Sequence, residues 1–235
     1  MARTAIMFSG GKDSMYALAR TKEEGGADLL ISVISPRGDT QLHLAPEVAP
    51  EARRAQIDLL DMPYREVVVD PEGNYLHQLF NGLRSVVSEE GITKLVTGDL
   101  WHPYTEGLGD MLAAALNVSL WRPGRDICPS QNEGVKYMNE IIDRRIEAII
   151  VAVKKDVLPE NYVGRELNWE FVREMAKNHP NQDCAGEGGQ YQSFVVDCPL
   201  MRKRINFNRL RVEEVPARNG RGTFYRMDTS SFSLE

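Results

Sequence analysis

The sequence is poor in cysteine and in basic charge. Its 235 residues include three cysteines, and an odd number without Cys-x-x-Cys spacing argues against both a disulfide framework and a zinc knuckle. We expect Cys128, Cys184 and Cys198 to be reduced, structural thiols. Only 28 Lys and Arg residues stand against 34 Asp and Glu residues, giving a net charge of −6. This balance argues against dedicated nucleic-acid binding, because phosphate neutralisation needs clustered cations.

Long apolar runs are also missing. The longest clean ones, residues 149–153 and 113–116, fall well below the ~20 residues that a membrane-spanning helix needs. The first residues, MARTAIMFSGG, lack the longer apolar region and the cleavage site of a secretory signal. These absences predict a cytoplasmic protein with no membrane segment.

Strand and helix patterns alternate in the first half of the chain, which predicts an α/β fold with a parallel sheet. The expected elements are strands at residues 4–8, 29–34, 65–70 and 94–99, and helices through Met15 and Leu18, at residues 51–60 and at residues 76–90. Ligands of such sheets lie beyond the carboxyl ends of the strands. The loop at Ser9, the pair Ile34-Ser35 and the pair Gly98-Asp99 should therefore meet there.

The chain after Trp121 has a different character. Arg-Pro-Gly-Arg at residues 122–125 resembles a link between domains, so we divide the chain into residues 1–124 and 125–235. A strand at residues 147–153 and a strong hairpin turn at Asn219-Gly220 predict a smaller α+β domain with antiparallel strands. One bulged strand is expected through Ile205, Phe207, Leu210, Val212 and Val215. The exposed edges of this hairpin region would allow a homodimer.

The sharpest motif is the phosphate loop, Ser9-Gly10-Gly11-Lys12-Asp13-Ser14, between the first strand and the first helix. Adjacent glycines let backbone N–H groups turn toward an anion, and the helix N-terminus adds partial positive charge. Its spacing differs from the GxxxxGK[ST] loop of the common phosphate-binding NTPases. The alternative is a glycine turn followed by a Ser or Asp cap.

This loop resembles the SGGxDS loop of the ATP pyrophosphatases, which cleave ATP between its α and β phosphates. The resemblance implies that Ser9, Ser14 and the loop amides bind pyrophosphate. It also implies that Lys12 neutralises charge and that Asp13 helps to hold Mg²⁺.

A second segment, GEGGQYQSFVVDCPL at residues 186–200, resembles the GEGGE[YF]-x-T-F-V-x-D-G-P-L motif of the diphthine ammonia ligase family. Further segments also resemble that family: Gln41-Leu42-His43 with Pro46, and residues 147–153 with Leu158 and Gly164-Arg165. The resemblance implies an ATP-binding PP-loop domain of the HUP (Rossmann-like) type and a family-specific acceptor-binding domain. Its reaction adenylates the carboxylate of diphthine on elongation factor 2, releases pyrophosphate and lets ammonia displace AMP.

The resemblance also implies a set of site residues. Lys12, Asp13 and Glu187 would be catalytic, and Glu187 would orient ammonia, take its proton or bind a cationic group. The ATP-binding residues would be Ser9, Gly10, Gly11, Lys12, Asp13, Ser14, Ile34, Ser35, His43 and Gly98. The acceptor-binding residues would be Tyr104, Glu187, Gly188, Gly189, Gln190, Tyr191 and Ser193. ATP and Mg²⁺ would be the cofactors, with Asp13 as the metal ligand.

The acceptor motifs depart from the family pattern, whereas the phosphate loop does not. Gln190 replaces a glutamate, Gln192 a His or Glu, and Cys198 a glycine. The family segment G-x-I-x-S-D-Y-Q-R appears as GDLWHPYTE, with Glu106 in place of the Arg. Two alternatives therefore stay open: a paralogous PP-loop amide ligase acting on a small carboxylate or with another amine, and a non-catalytic ATP or AMP sensor.

Smaller signals carry two interpretations each. His43 and His102 are candidate site residues or ordinary loop histidines, and Asp99 contacts a ligand or caps the next helix. Tyr104 and Tyr191 contact the acceptor or pack at the cleft edge. Eight basic residues between Arg202 and Arg226, against Glu213 and Glu214, form either a docking surface or a solvated strand face.

Overall fold

The computed structural model describes residues 3–36, 38, 48–101, 103–208, 211–217 and 222–235, and of residues 103–106 it describes the backbone alone. A five-stranded parallel sheet forms the first half of the chain, in the order β3-β2-β1-β4-β5. Its elements are β1 (Arg3–Met7), α1 (Lys12–Glu23), β2 (Leu29–Ile34), α2 (Pro50–Leu60), β3 (Tyr64–Val68), α3 (Tyr75–Glu90), β4 (Ile92–Val96), α4 (Pro103–Leu116) and β5 (Ser119–Trp121). The predicted Rossmann-like α/β core is confirmed.

Both faces of this sheet are covered, which is why its central strands lack polar alternation. All six residues of β2 are buried. Leu29, Ile31 and Val33 pack toward α3 on one face, in a cluster with Leu83. Leu30 packs on the other face, in a cluster that includes residues of α1 and of the second half of the chain. The sheet is thereby fixed from two sides.

The second half of the chain forms a smaller antiparallel sheet, in the order β7-β6-β10-β9. Its elements are α5 (Gly134–Asp143), β6 (Glu147–Lys154), α6 (Trp169–Asn178), β7 (Tyr191–Asp197), β8 (Ile205–Phe207), β9 (Val212–Pro216), β10 (Thr223–Met227) and β11 (Phe232–Leu234). Strand β7 lies beside the phosphate loop, since Val195 N donates to Gly10 O at 3.0 Å. The two halves share one hydrophobic cluster.

One element prediction was wrong. The predicted strand is two strands in two sheets, Ile205–Phe207 and Val212–Pro216, because β8 pairs with β11 while β9 pairs with β10. Leu210 lies outside the described residues. An alternating pattern predicts which face of a strand is buried but does not identify its partner. The predicted hairpin pairing of β9 with β10 is confirmed, and its turn, Asn219-Gly220, lies outside the described residues.

Candidate functional site

The phosphate loop directs three consecutive backbone amides at hydroxyl oxygens. Gly10 N donates to Ser14 Oγ at 3.2 Å, and Gly11 N donates to Ser9 Oγ at 3.4 Å. The third amide, of Lys12, donates to Ser193 Oγ of β7 at 3.2 Å. Gly10 has φ +87°, a left-handed conformation that favours glycine. The loop thus presents successive N–H donors at the start of α1, an arrangement that suits an anion.

Lys12 provides a positive charge directly beside these amides. Its residue is 2% exposed, and its Nζ lies 2.9 and 2.8 Å from the two carboxylate oxygens of Asp13. The same Nζ lies 5.5 Å from the ring centre of Tyr191. A buried ammonium with one carboxylate and one aromatic face is held in place rather than solvated.

The Asp13 carboxylate has a second partner that sequence reasoning missed. Tyr137 Oη, on α5, donates to Asp13 Oδ1 at 3.0 Å. The Tyr137 side chain is buried, and burial raises the pKa of its phenol well above the usual value, so it remains a donor. A lone tyrosine in an amphipathic helix carries no local signal for this contact.

Glu187 reaches the same region from the second half of the chain. Its Oε1 accepts a hydrogen bond from Leu100 N, just beyond the end of β4, at 3.1 Å. Burial and then the negative charge of Asp13 raise the pKa of Glu187 to about 8. This carboxyl therefore changes charge near neutral pH, which is the range a general acid or base needs.

A buried aspartate holds the backbone that carries Glu187. Asp183 is 1% exposed, and its carboxylate accepts from Ala185 N at 2.9 Å and from Glu187 N at 2.8 Å. Burial also raises the pKa of Asp183. Sequence reasoning missed this residue, although an aspartate before Ala185-Gly186 is typical of a turn that bonds its own backbone.

Gly98 permits β4 to approach the phosphate loop closely. A Cβ at this position would lie 2.6 Å from the carbonyl carbon of Asp13 and 2.8 Å from Ser14 N. Ile34 and Ser35 lie at the end of neighbouring β2 and are buried, and their carbonyl oxygens accept from Val69 N at 2.8 Å and Gly38 N at 2.9 Å. The segment just beyond β4 therefore lies against the loop, and the carboxyl end of β2 lies at the same edge of the sheet, since β2 pairs in parallel with β1.

The residues of the GEGGQ segment, 186–200, differ from one another in burial. Tyr191 is buried, its hydroxyl donates to Cys184 O at 2.7 Å, and its ring packs edge-on against Phe171. This environment favours the packing alternative for Tyr191. Gly188 is exposed, while Gly189 has φ +77°. The acceptor roles of Gly188, Gly189, Gln190 and Ser193 stay predictions.

Three candidate groups have no described side chain. His43 and His102 lie outside the described residues, and only the backbone of Tyr104 is described. Their predicted roles are unchanged by the structure.

The donor set around the loop suits a metal ion carried by a nucleotide. Within the described part of the chain, no group of three or more His, Cys, Asp or Glu side chains is arranged to hold a metal ion. Asp13 contributes one partly exposed carboxylate beside the loop amides. Mg²⁺ typically binds one or two protein carboxylates together with substrate phosphates and water. Asp13 therefore fits Mg²⁺ that arrives with a nucleotide.

The cysteines are buried in the fold, and basic residues between Arg202 and Arg226 form ion pairs within it. The three thiols are free and buried, and burial raises the pKa of Cys128 and Cys184 to about 12. Arg202 contacts Asp61 at 3.3 Å, and Arg226 pairs with Glu213. Arg204 pairs with Glu147. These contacts favour a solvated strand face over a docking surface.

In the described residues, no helix is long and apolar enough to cross a membrane.

A five-stranded parallel sheet with a glycine loop between β1 and α1 defines a Rossmann-like α/β protein. Two family models match this chain: the diphthamide synthase N-terminal domain at residues 2–108 and the diphthamide synthase C-terminal domain at residues 133–221. The chain belongs to the diphthamide synthase family.

Curated relatives agree with this assignment. The Diphthine--ammonia ligase of Rattus norvegicus is 27% identical over 229 residues, which cover 86% of this chain and 82% of that protein. The Homo sapiens protein of the same name is 25% identical over 228 residues, with the same coverage. A solved structure described as a predicted subunit of tRNA methyltransferase from Methanocaldococcus jannaschii aligns over 85% of this chain and 98% of that chain. The TM-score of this alignment is 0.42 and the sequence identity is 14%.

Proposed function

We propose that this protein is an ATP-dependent amide ligase that adenylates a carboxylate, releases pyrophosphate and lets ammonia displace AMP. The observation that supports the proposal is that Glu187, from the other half of the chain, accepts from Leu100 N. Leu100 lies two residues beyond Gly98, which packs against Asp13 of the phosphate loop. Activation is needed because a free carboxylate would have to expel oxide, whereas an acyl adenylate expels AMP.

The phosphate loop supplies the first half of this chemistry. Negative charge builds on the departing pyrophosphate, and preorganised amides with a buried cation stabilise such charge without reorganising. The amides of Gly10, Gly11 and Lys12 and the Lys12 ammonium would fill these roles. Mg²⁺, held by Asp13 and the nucleotide, would supply further charge neutralisation on the phosphates.

Glu187 supplies the second half. Attack by ammonia requires that nitrogen lose a proton as the amide forms, and a carboxylate with a pKa of about 8 is suited to accept it near neutral pH. The carboxyl is held by Leu100 N and its backbone by Asp183, so its position relative to the loop is fixed. We assign Glu187 as the general base for the amine.

The acceptor that the relatives' name indicates is diphthine. The sequence resemblance implies that its carboxylate is borne on elongation factor 2. We propose it as the substrate of this protein as well. A paralogous ligase for a small-molecule carboxylate, or for another amine, is the second candidate. Gln190, Gln192 and Glu106 favour it, since they change the charge of the acceptor motifs.

The test is product analysis. The pure protein is incubated with ATP, Mg²⁺, ammonium and diphthine-bearing elongation factor 2, and we expect AMP, pyrophosphate and the amide mass shift on the factor. Lys12→Met should abolish all three products, whereas Lys22→Met, an exposed lysine on the same helix, should leave them unchanged. AMP and pyrophosphate formed only with a small acid would favour the paralogue. Nucleotide bound without turnover with any acid would indicate a sensor and contradict the proposal.

A further inference from the structure

The carbonyl of Gly10 is held from outside the phosphate loop by two donors. Val195 N donates to this oxygen at 3.0 Å, and Gln56 Nε2 donates to it at 3.0 Å. Gln56 Nε2 also donates to Val195 O at 2.7 Å. One side-chain amide on α2 thus joins the phosphate loop to β7 by using both of its protons.

The Gln56 side chain is buried, and its Nε2 donates to these two carbonyls. The residue is 0% exposed, and its Oε1 is buried without a hydrogen-bond partner in the described residues. That oxygen would lie 2.6 Å from a Cβ at Gly10, so it also occupies the space that only glycine leaves free. An unpaired buried oxygen costs free energy, so an amide at this position calls for a physical reason in the two bonds that its Nε2 makes.

The orientation of the Gly10–Gly11 peptide supplies that reason. The carbonyl of a peptide points opposite to its N–H, and here Gly10 O faces Gln56 while Gly11 N faces Ser9 Oγ, inside the loop. Two adjacent glycines leave this peptide free to rotate by half a turn. Rotation would direct a carbonyl oxygen at a bound phosphate and withdraw one of the three amide donors.

We propose that Gln56 is a positioning residue that prevents this rotation and keeps the Gly11 amide directed at the phosphate-binding side of the loop. The inference rests on the proposed function, because it assumes that the loop binds pyrophosphate. Gln56 acts through the peptide and contacts no substrate. The affinity for pyrophosphate depends on it, whereas the affinity for AMP, which carries no leaving diphosphate, does not.

The test compares pyrophosphate and AMP binding by calorimetry for the full-length protein and three variants. Gln56→Met removes the donor at similar volume and should weaken pyrophosphate binding about fivefold to tenfold, the effect of about one hydrogen bond, with AMP affinity unchanged. Gln56→Glu places acceptor oxygens against two carbonyls and should weaken pyrophosphate binding more. Thr21→Val removes a buried hydroxyl bond to Ala17 O at the far end of α1 and should alter neither affinity.

The outcomes separate the two levels of the proposal. Equal pyrophosphate binding by wild type and Gln56→Met would overturn the role of Gln56 alone. Equal losses of pyrophosphate and AMP affinity would also overturn it, because they indicate general damage to the site. A wild-type protein that binds AMP but not pyrophosphate would overturn the proposed function and this inference with it. Thermal unfolding of each variant confirms that the binding data refer to folded protein.

Discussion

The phosphate loop and the GEGGQ segment meet at one place but are held by different forces. In the loop, backbone amides bond to hydroxyls of Ser9, Ser14 and Ser193, and a glycine with positive φ sets the turn. Just before the GEGGQ segment, a buried carboxylate, Asp183, fixes the backbone, and within the segment a second carboxyl, Glu187, reaches Leu100 N just beyond the end of β4. The first is held by backbone geometry and the second by buried carboxyl groups.

This difference indicates how each region should respond to mutation. A loop built from close backbone contacts is sensitive to added volume, even of one methyl group. A segment built from buried carboxyls is sensitive to the removal of charge and to pH. The phosphate loop also keeps the family pattern, whereas the GEGGQ segment departs from it at Gln190 and Gln192. Variants in each region therefore test whether backbone geometry and buried carboxyls act separately.

The largest effect is expected at Glu187. Glu187→Gln should slow amide formation by about 10²-fold or more, because general-base catalysis is lost, while pyrophosphate release is retained. Quantifying AMP transfer and amide product in separate assays checks this split. Glu170→Gln, at an exposed carboxyl on α6, is the control. Equal losses in both half-reactions would contradict the assignment of Glu187 to the amine.

The same variant should change how stability depends on pH. The pKa of Glu187 is raised from 4.5 to about 8 in the folded protein, so the native state keeps a proton that the unfolded chain releases. Stability from this group is therefore full below pH 4.5 and is lost as pH rises through about 8. We expect Glu187→Gln to gain Tm relative to wild type between these values and to hold the gain above them. A gain that shrinks with rising pH would show that the shift has the opposite sign.

On the loop side, Gly98→Ala should lower the free energy of unfolding by about 1–3 kcal/mol, the usual effect of overpacking, and weaken ATP binding. Its Cβ would meet the backbone of Asp13 and Ser14. Gly107→Ala is the matched control, since a Cβ at Gly107 would meet nothing within 4 Å and alanine favours helix. Denaturant unfolding measures the stability of each variant, and ATP titration measures its affinity for ATP. Similar effects of the two changes would mean that the close approach at Gly98 is unimportant.

A smaller effect is expected at Tyr137, which joins the two halves. Tyr137→Phe removes one hydrogen bond to the Asp13 carboxylate and should weaken ATP binding in the presence of Mg²⁺ about tenfold. Binding of ATP with EDTA should change little, because the Asp13 carboxylate then has no metal to orient. Calorimetry with Mg²⁺ and with EDTA measures the two ATP affinities. If Tyr137 had a purely structural role, its replacement would weaken both affinities equally.

The smallest effect is expected at Cys198. The thiol is buried, and burial raises its pKa, which disfavours the reactive thiolate. Cys198→Ala should therefore change the rate of amide formation less than about twofold, with a stability loss of about 1 kcal/mol from the small cavity. Loss of amide formation in a folded Cys198→Ala variant would contradict this prediction and assign the thiol a chemical role.

Much of the fold and part of the site could be predicted from the sequence, because local patterns encode them. Strand, glycine loop and helix at residues 4–23 follow from side-chain periodicity and from Gly10-Gly11. The C-terminal strands could not be assigned partners in the same way, since β8 pairs with β11 and β9 with β10. An alternating pattern contains no information about which distant strand completes a ladder.

The phosphate loop and the candidate role of Glu187 can be predicted from the sequence, since both belong to contiguous motifs. The groups that hold them come from distant segments and are seen only in the folded protein. Gln56 is 46 residues from Gly10 and 139 from Val195, and Tyr137 is 124 residues from Asp13. A buried amide or hydroxyl finds its carbonyl or carboxylate through packing of the whole chain, so no local pattern marks it in advance.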